Sequence, residues 1–126
     1  MNINALKPVV WLAGSKKALQ SLPDDVAKSI GYALYLAQLG MKAAQAKPLK
    51  GFSGAGVLEI VEDDGGNAYR AIYTVKCKDV LFVLHCMQKK SKSGIATPKT
   101  DLDLIKSRLG MARKIYQEMH NDSTPG

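Results

Sequence analysis

The stretch GVLEIVEDDGGNAYRAIYTVKCKDVLFVLHCM, residues 56–87, holds three runs rich in β-branched and aromatic residues, separated by two turns. The runs are Val57 to Glu62, Ala68 to Val75 and Val80 to Met87. Such runs favour the pleated conformation because branched and aromatic side chains pack well on a half-buried sheet surface. Asp64-Gly65-Gly66-Asn67 supplies the glycines of a tight hairpin, and Lys76 to Asp79 makes the second connection. Short connections between neighbouring strands imply an antiparallel meander.

Upstream, Pro8 to Leu12 is apolar enough for an edge strand, and Gly14 and Ser15 precede a short helix reaching Leu22, with Ser15 suited to its N-cap. Pro23 opens a longer helix. There Val26, Ile30, Ala33, Leu34, Ala37 and Met41 recur at three- and four-residue steps, Asp24 and Asp25 complement the positive helix start, and Gly40 ends it. The apolar stripe of this helical hairpin needs a cover, and the sheet supplies it. Downstream, Thr97 as N-cap and Pro98 at the first helical position introduce a final amphipathic helix marked by Leu102, Ile105, Leu109, Ala112, Ile115 and Met119. The expected fold is therefore α+β, in the order β-α-α-β-β-β-α: an antiparallel meander packed against a helical hairpin, with a C-terminal helix. Residues 1–126 read as one domain, with 120–126 as a flexible tail.

Eighteen Lys and Arg against eleven Asp and Glu give a net charge of +7, which favours a polyanionic partner. Between His85 and Lys114 the basic residues Lys89, Lys90, Lys92, Lys99, Lys106, Arg108, Arg113 and Lys114 face only Asp101 and Asp103, so the excess gathers near one loop and the helix after it. The apolar stretch from Val9 to Ala13 is too short for a signal core or a membrane span, and a cytoplasmic protein with no membrane partner is expected. Cys77 and Cys86 form no Cys-x-x-Cys pair and read as reduced, partly buried thiols.

Several residues are candidates for chemistry. In NAYRAIY, alternation sends Tyr69, Ala71 and Tyr73 to one face and Arg70, Ile72 and Thr74 to the other. A strand arginine needs an anionic partner, which is either a substrate phosphate or Glu59 across the hairpin, and spacing leaves the two open. Glu59, set in VLEIV, is either a desolvated carboxylate suited to general-base work or a solvated strand residue. His85 can move a proton near neutrality or serve structurally. A Cys86 nucleophile served by His85 is disfavoured, since adjacent strand residues point apart. QKKSKSG, residues 88–94, is either a phosphate-holding loop with Lys89, Lys90 and Lys92 or a solvated segment. KPLKGFSGAG, residues 47–56, contributes Lys47 and Lys50 on a glycine-rich approach to the sheet without nucleotide-loop spacing. Lys99 opens the last helix. No metal spacing or cofactor motif is present, so none is expected.

Taken in order, KPLKG, the Glu59 strand, YRAIY and LHCMQKKSKSGIATP resemble the phage-derived branch of the RelE/ParE/HigB-like toxin superfamily, over most of the chain. The resemblance implies a type II toxin whose sheet holds mRNA on the ribosome and whose cognate antitoxin carries a helix-turn-helix domain. Position by position, it assigns catalytic roles to Arg70, Lys89, Lys90 and Glu59. To these the residues themselves add His85 as a further catalytic candidate that can move a proton, and Lys47, Lys50, Lys92 and Lys99 as candidates for RNA binding. The sequence departs from the family pattern at Val61, where many relatives are basic, and at Met87, where an aromatic is usual. The implied activity is metal-independent endoribonuclease cleavage leaving a 2′,3′-cyclic phosphate. The superfamily also contains gyrase-directed inhibitors, and a plain nucleic-acid-binding module is a third reading.

Overall fold

The computed structural model describes residues 6–52, 54–89 and 97–122. Its elements are β1 (Val9–Trp11), α1 (Ser15–Gln20), α2 (Asp24–Gln38), β2 (Ala46–Pro48), β3 (Val57–Asp64), β4 (Asn67–Thr74), β5 (Leu81–Lys89) and α3 (Lys99–Asp122). The fold is the α+β arrangement expected, with β3, β4 and β5 as the antiparallel meander. Two edges complete a five-stranded sheet in the order β1-β5-β4-β3-β2. β1 runs parallel to β5, and the short β2, not anticipated as a strand, pairs antiparallel with β3. Pro48 is tolerated there because an outer strand needs only one row of hydrogen bonds.

The hairpin between β3 and β4 follows from its glycines. Gly65 and Gly66 have φ of 60° and 84°, so the pair makes the doubly left-handed two-residue turn whose twist matches that of the strands, and Asp64 lies opposite Asn67. α2 ends as its glycine dictates. Gly40 at φ 82° lets its own N–H reach the Ala37 carbonyl and the Met41 N–H reach that of Leu36, a Schellman closure. Met41 thereby leaves the apolar stripe and is exposed, contrary to expectation.

Three end assignments shift. Ser15 lies inside α1 behind Gly14 at the N-cap, and its buried hydroxyl donates to the Val83 carbonyl of β5 at 3.1 Å, tying helix to sheet. The Pro98 carbonyl accepts the first bond of α3, from Leu102 N–H at 3.0 Å, so Thr97 precedes the cap. α3 continues through Asp122, which makes 120–122 of the expected tail helical, while 123–126 lie outside the described residues. Among the described residues no helix is long and apolar enough to cross a membrane.

Two cores form, one on each face of the sheet. On one, Val26, Ile30 and Leu34 of α2 pack with Leu19 of α1 against Ile60, Tyr69, Ala71, Tyr73, Val83 and Cys86. On the other, Ile105, Leu109 and Ala112 of α3 pack against Val57, Ile72, Val80, Phe82 and Leu84. The alternation of β4 thus follows its sequence. Tyr73 is wholly buried, its hydroxyl has no partner among the described residues, and burial pushes its pKa up to about 12. An unsatisfied buried hydroxyl carries a desolvation cost, so Tyr73→Phe is expected to leave stability unchanged or raise it by about 1 kcal/mol, read from the urea midpoint.

The register of β5 breaks once. Ile72 pairs with His85 but Tyr73 pairs with Val83, which leaves Leu84 as the extra residue of a β-bulge. Unbroken alternation from Val83 would have sent His85 toward the α1–α2 core. The bulge sends it instead to the α3 face, the face of Ile72.

Candidate catalytic face

Four strands and α3 assemble the site. Arg70 of β4 stands opposite Val61 and Met87, and Glu59 of β3 stands opposite Ile72 and Lys47. Residues paired across strands share a face, as do residues two apart, so Lys47, Glu59, Arg70 and His85 occupy one side of the sheet. It is the side that α3 covers.

At its centre, Arg70 Nη1 donates to Glu59 Oε2 at 2.6 Å, with the two residues 5% and 4% exposed. The pairing across the hairpin is therefore real, and the carboxylate is committed to a guanidinium. Lys47 Nζ approaches the other oxygen, Oε1, at 3.8 Å while its side chain remains 62% exposed. The result is a buried charge pair with one solvent-facing cation at its rim. A buried charge is sustained only by such pairing and hydrogen bonding.

Beside it, His85 meets α3. Its Nδ1 lies 3.1 Å from Arg108 Nη1 and its Nε2 3.3 Å from Asp101 Oδ1. Arg108 Nη1 also donates to the Leu84 carbonyl at 2.8 Å, satisfying the oxygen that the bulge displaces. Burial, then the Arg108 cation, hold the His85 pKa below the usual 6.5, with Asp101 opposing. The unfolded chain consequently binds this proton more readily than the folded one. Stability contributed by neutral His85 is full above about 6.5 and is lost as pH falls through that value toward the lower folded-state pKa. Titrating unfolding free energy between pH 7.5 and 5.5 is expected to show this decline, and His85→Asn is expected to flatten it.

Of the other sequence candidates, Lys50 and Lys99 are exposed, at the turn after β2 and at the start of α3. Lys89 ends β5 opposite Ala68. Lys90 and Lys92 lie outside the described residues. Both cysteines are free and buried, in opposite cores, and burial pushes the Cys86 thiol up to about 12, so it is no nucleophile. Among the described residues no three His, Cys, Asp or Glu side chains gather as metal ligands. Arg108 and Asp101 are the functional-face residues that sequence reasoning passed over. Their seven-residue separation, two helical turns, places both along the Ile105–Ala112 stripe, and that spacing was the available signal.

The model of the family described as phage derived protein Gp49-like (DUF891) matches residues 17–110, from α1 through the part of α3 that bears Asp101 and Arg108. No curated protein and no solved structure gives a significant match. The match takes in every described member of the buried pair and of the histidine cluster. This chain belongs to the Gp49-like family of phage-derived proteins, a family within the RelE/HigB toxin superfamily.

Proposed function

We propose that this chain is the toxin of a type II toxin–antitoxin pair and that it acts as a metal-independent, ribosome-dependent mRNA endoribonuclease in the cytoplasm. The gathering of Lys47, Glu59, Arg70, His85, Asp101 and Arg108 on one sheet face, inside the segment matched to the Gp49-like family, is the observation that carries this reading. In the reaction the RNA 2′-oxygen bonds to the adjacent phosphorus and the bond from phosphorus to the 5′-oxygen breaks, leaving a 2′,3′-cyclic phosphate and a free 5′-hydroxyl. Lys89 and Lys90, with Lys47, Lys50, Lys92 and Lys99, hold the backbone by charge. Arg70, its planar fork aligned by Glu59, meets the charge that develops on the phosphoryl oxygens, and Glu59 or His85 takes up the proton. A helix-turn-helix antitoxin is the neutralising partner.

Purified protein added to ribosomes translating a defined message should yield fragments with cyclic 3′ ends. Arg70→Ala should reduce their rate of formation by about 10²-fold or more. Unchanged cleavage by that variant removes Arg70 from its role.

The burial of the Arg70–Glu59 pair favours a second reading, in which it is a structural ion pair and the chain inhibits DNA gyrase or another protein without catalysis. The basic α3 is then the recognition surface. A supercoiling assay with purified gyrase separates the two: inhibition without RNA cleavage selects the second.

A further inference from the structure

The cluster at the start of α3 is directional. A guanidinium only donates hydrogen bonds, so His85 Nδ1, 3.1 Å from Arg108 Nη1, accepts. Neutral imidazole has one ring proton, and with Nδ1 accepting it resides on Nε2, which donates to Asp101 Oδ1 at 3.3 Å. Arg108 is itself held by the Leu84 carbonyl. Both ring nitrogens of His85 are thereby occupied by protein. Exposure rises along the chain of contacts, with the His85 side chain 15% and that of Asp101 30% accessible. Asp101 lies in the first turn of α3. Glu59, the buried carboxylate of this face, is held by its arginine.

We infer that Asp101 is the proton acceptor of this site, and that His85 and Arg108 are positioning residues that hold its carboxylate in place. The assignment rests on the ribonuclease reading above and, within it, moves proton uptake from Glu59 or His85, whose polar atoms are taken by Arg70, Arg108 and Asp101, to Asp101 itself. Asp101 removes the proton of the 2′-hydroxyl as that oxygen bonds to phosphorus, the departing 5′-oxygen takes a proton from water, and the carboxylic acid returns its own to solvent. His85 remains neutral throughout, its Nε2–H steadying the carboxylate. Charged groups around the ring are Arg108 and Asp101 from α3 and, across Ile72 on the same sheet face, the Arg70–Glu59 pair.

Asp101→Asn separates holding from proton uptake, because the amide oxygen still accepts from Nε2–H while the side chain no longer takes a proton. In the ribosome-bound message assay this variant is expected to lose about 10²-fold in rate together with the acidic limb of the rate–pH profile, and Asp101→Glu to restore the limb. Long-range ¹H–¹⁵N spectra of the unaltered protein should show His85 protonated at Nε2 alone. Arg108→Met should spread the proton over both nitrogens, and Arg108→Lys should restore the single form. Full cleavage by the Asp101→Asn protein overturns the role of Asp101, and a proton on Nδ1 in the unaltered protein overturns the positioning of His85 by Arg108. Absence of cleavage by the unaltered protein overturns the ribonuclease reading instead, and the role of Asp101 with it.

Discussion

Replacing Glu59 with Ala is expected to destabilise the protein by about 3–5 kcal/mol, the cost of leaving a buried guanidinium without its carboxylate. The size of the effect follows from burial. Arg70 and Glu59 meet at 2.6 Å with side chains 6% exposed each, so water cannot take over the lost partner. Lys47, at 3.8 Å from the same carboxylate and largely in solvent, supplies the contrast: Lys47→Ala is expected to change stability by less than about 1 kcal/mol. Replacing both members together, Glu59→Leu with Arg70→Met, should recover most of the loss, because apolar side chains of similar size need no charge compensation. Urea denaturation with an unchanged slope is the measurement. A cost near zero for Glu59→Ala would mean that solvent reaches the guanidinium. The doubly replaced protein also serves the functional question, since it removes Arg70 without the unfolding that confounds single replacements.

Phe82→Ala should cost a comparable 3–5 kcal/mol, through lost transfer energy and the cavity left behind. The ring is wholly buried on β5 among Ile72, Leu84, Ile105 and Leu109, and meets the Tyr116 ring of α3 edge-on, with centroids 6.4 Å apart at 90°. An edge-to-face pair adds about 0.5–1.5 kcal/mol to the area term. The loss should be local in character. Phe82 anchors α3 and not the α1–α2 hairpin, so hydrogen exchange is expected to show α3 amides opening well before those of α2. Uniform loss of protection would contradict the division of the interior into two cores. Because α3 carries Asp101 and Arg108, the same variant should also blur the single protonated form of His85.

What the chain spells out locally is what reading it recovers. The meander, the Gly65–Gly66 turn, the stripe of α2 and its stop at Gly40 each depend on residues a few positions apart, and each is present. Ends and edges depend on partners farther along the chain. Ser15 has the chemistry of an N-cap but its hydroxyl finds the Val83 carbonyl, 68 positions away, a partner that exists only once α1 lies on the sheet. β2 contains too few residues, and a proline, to show a period of two; it is a strand because the rim of β3 is free to receive it.

The candidate site divides along the same line. Arg70 and Glu59 are on neighbouring strands by alternation and hairpin register alone, so their encounter was one of two outcomes that spacing allowed, and tertiary burial selected it. His85 is different. A single extra residue at Leu84 reverses which side of β5 every later side chain takes, and no propensity in LFVLHCM announces it. The bulge is sustained from outside the strand, by Arg108 on α3 holding the displaced carbonyl. Composition and periodicity thus determined the sheet, the helices and the excess of positive charge, because these arise from neighbours along the chain. The placing of His85 between Arg108 and Asp101 was decided by the docking of α3, because its energy comes from contacts that sequence neighbours cannot make.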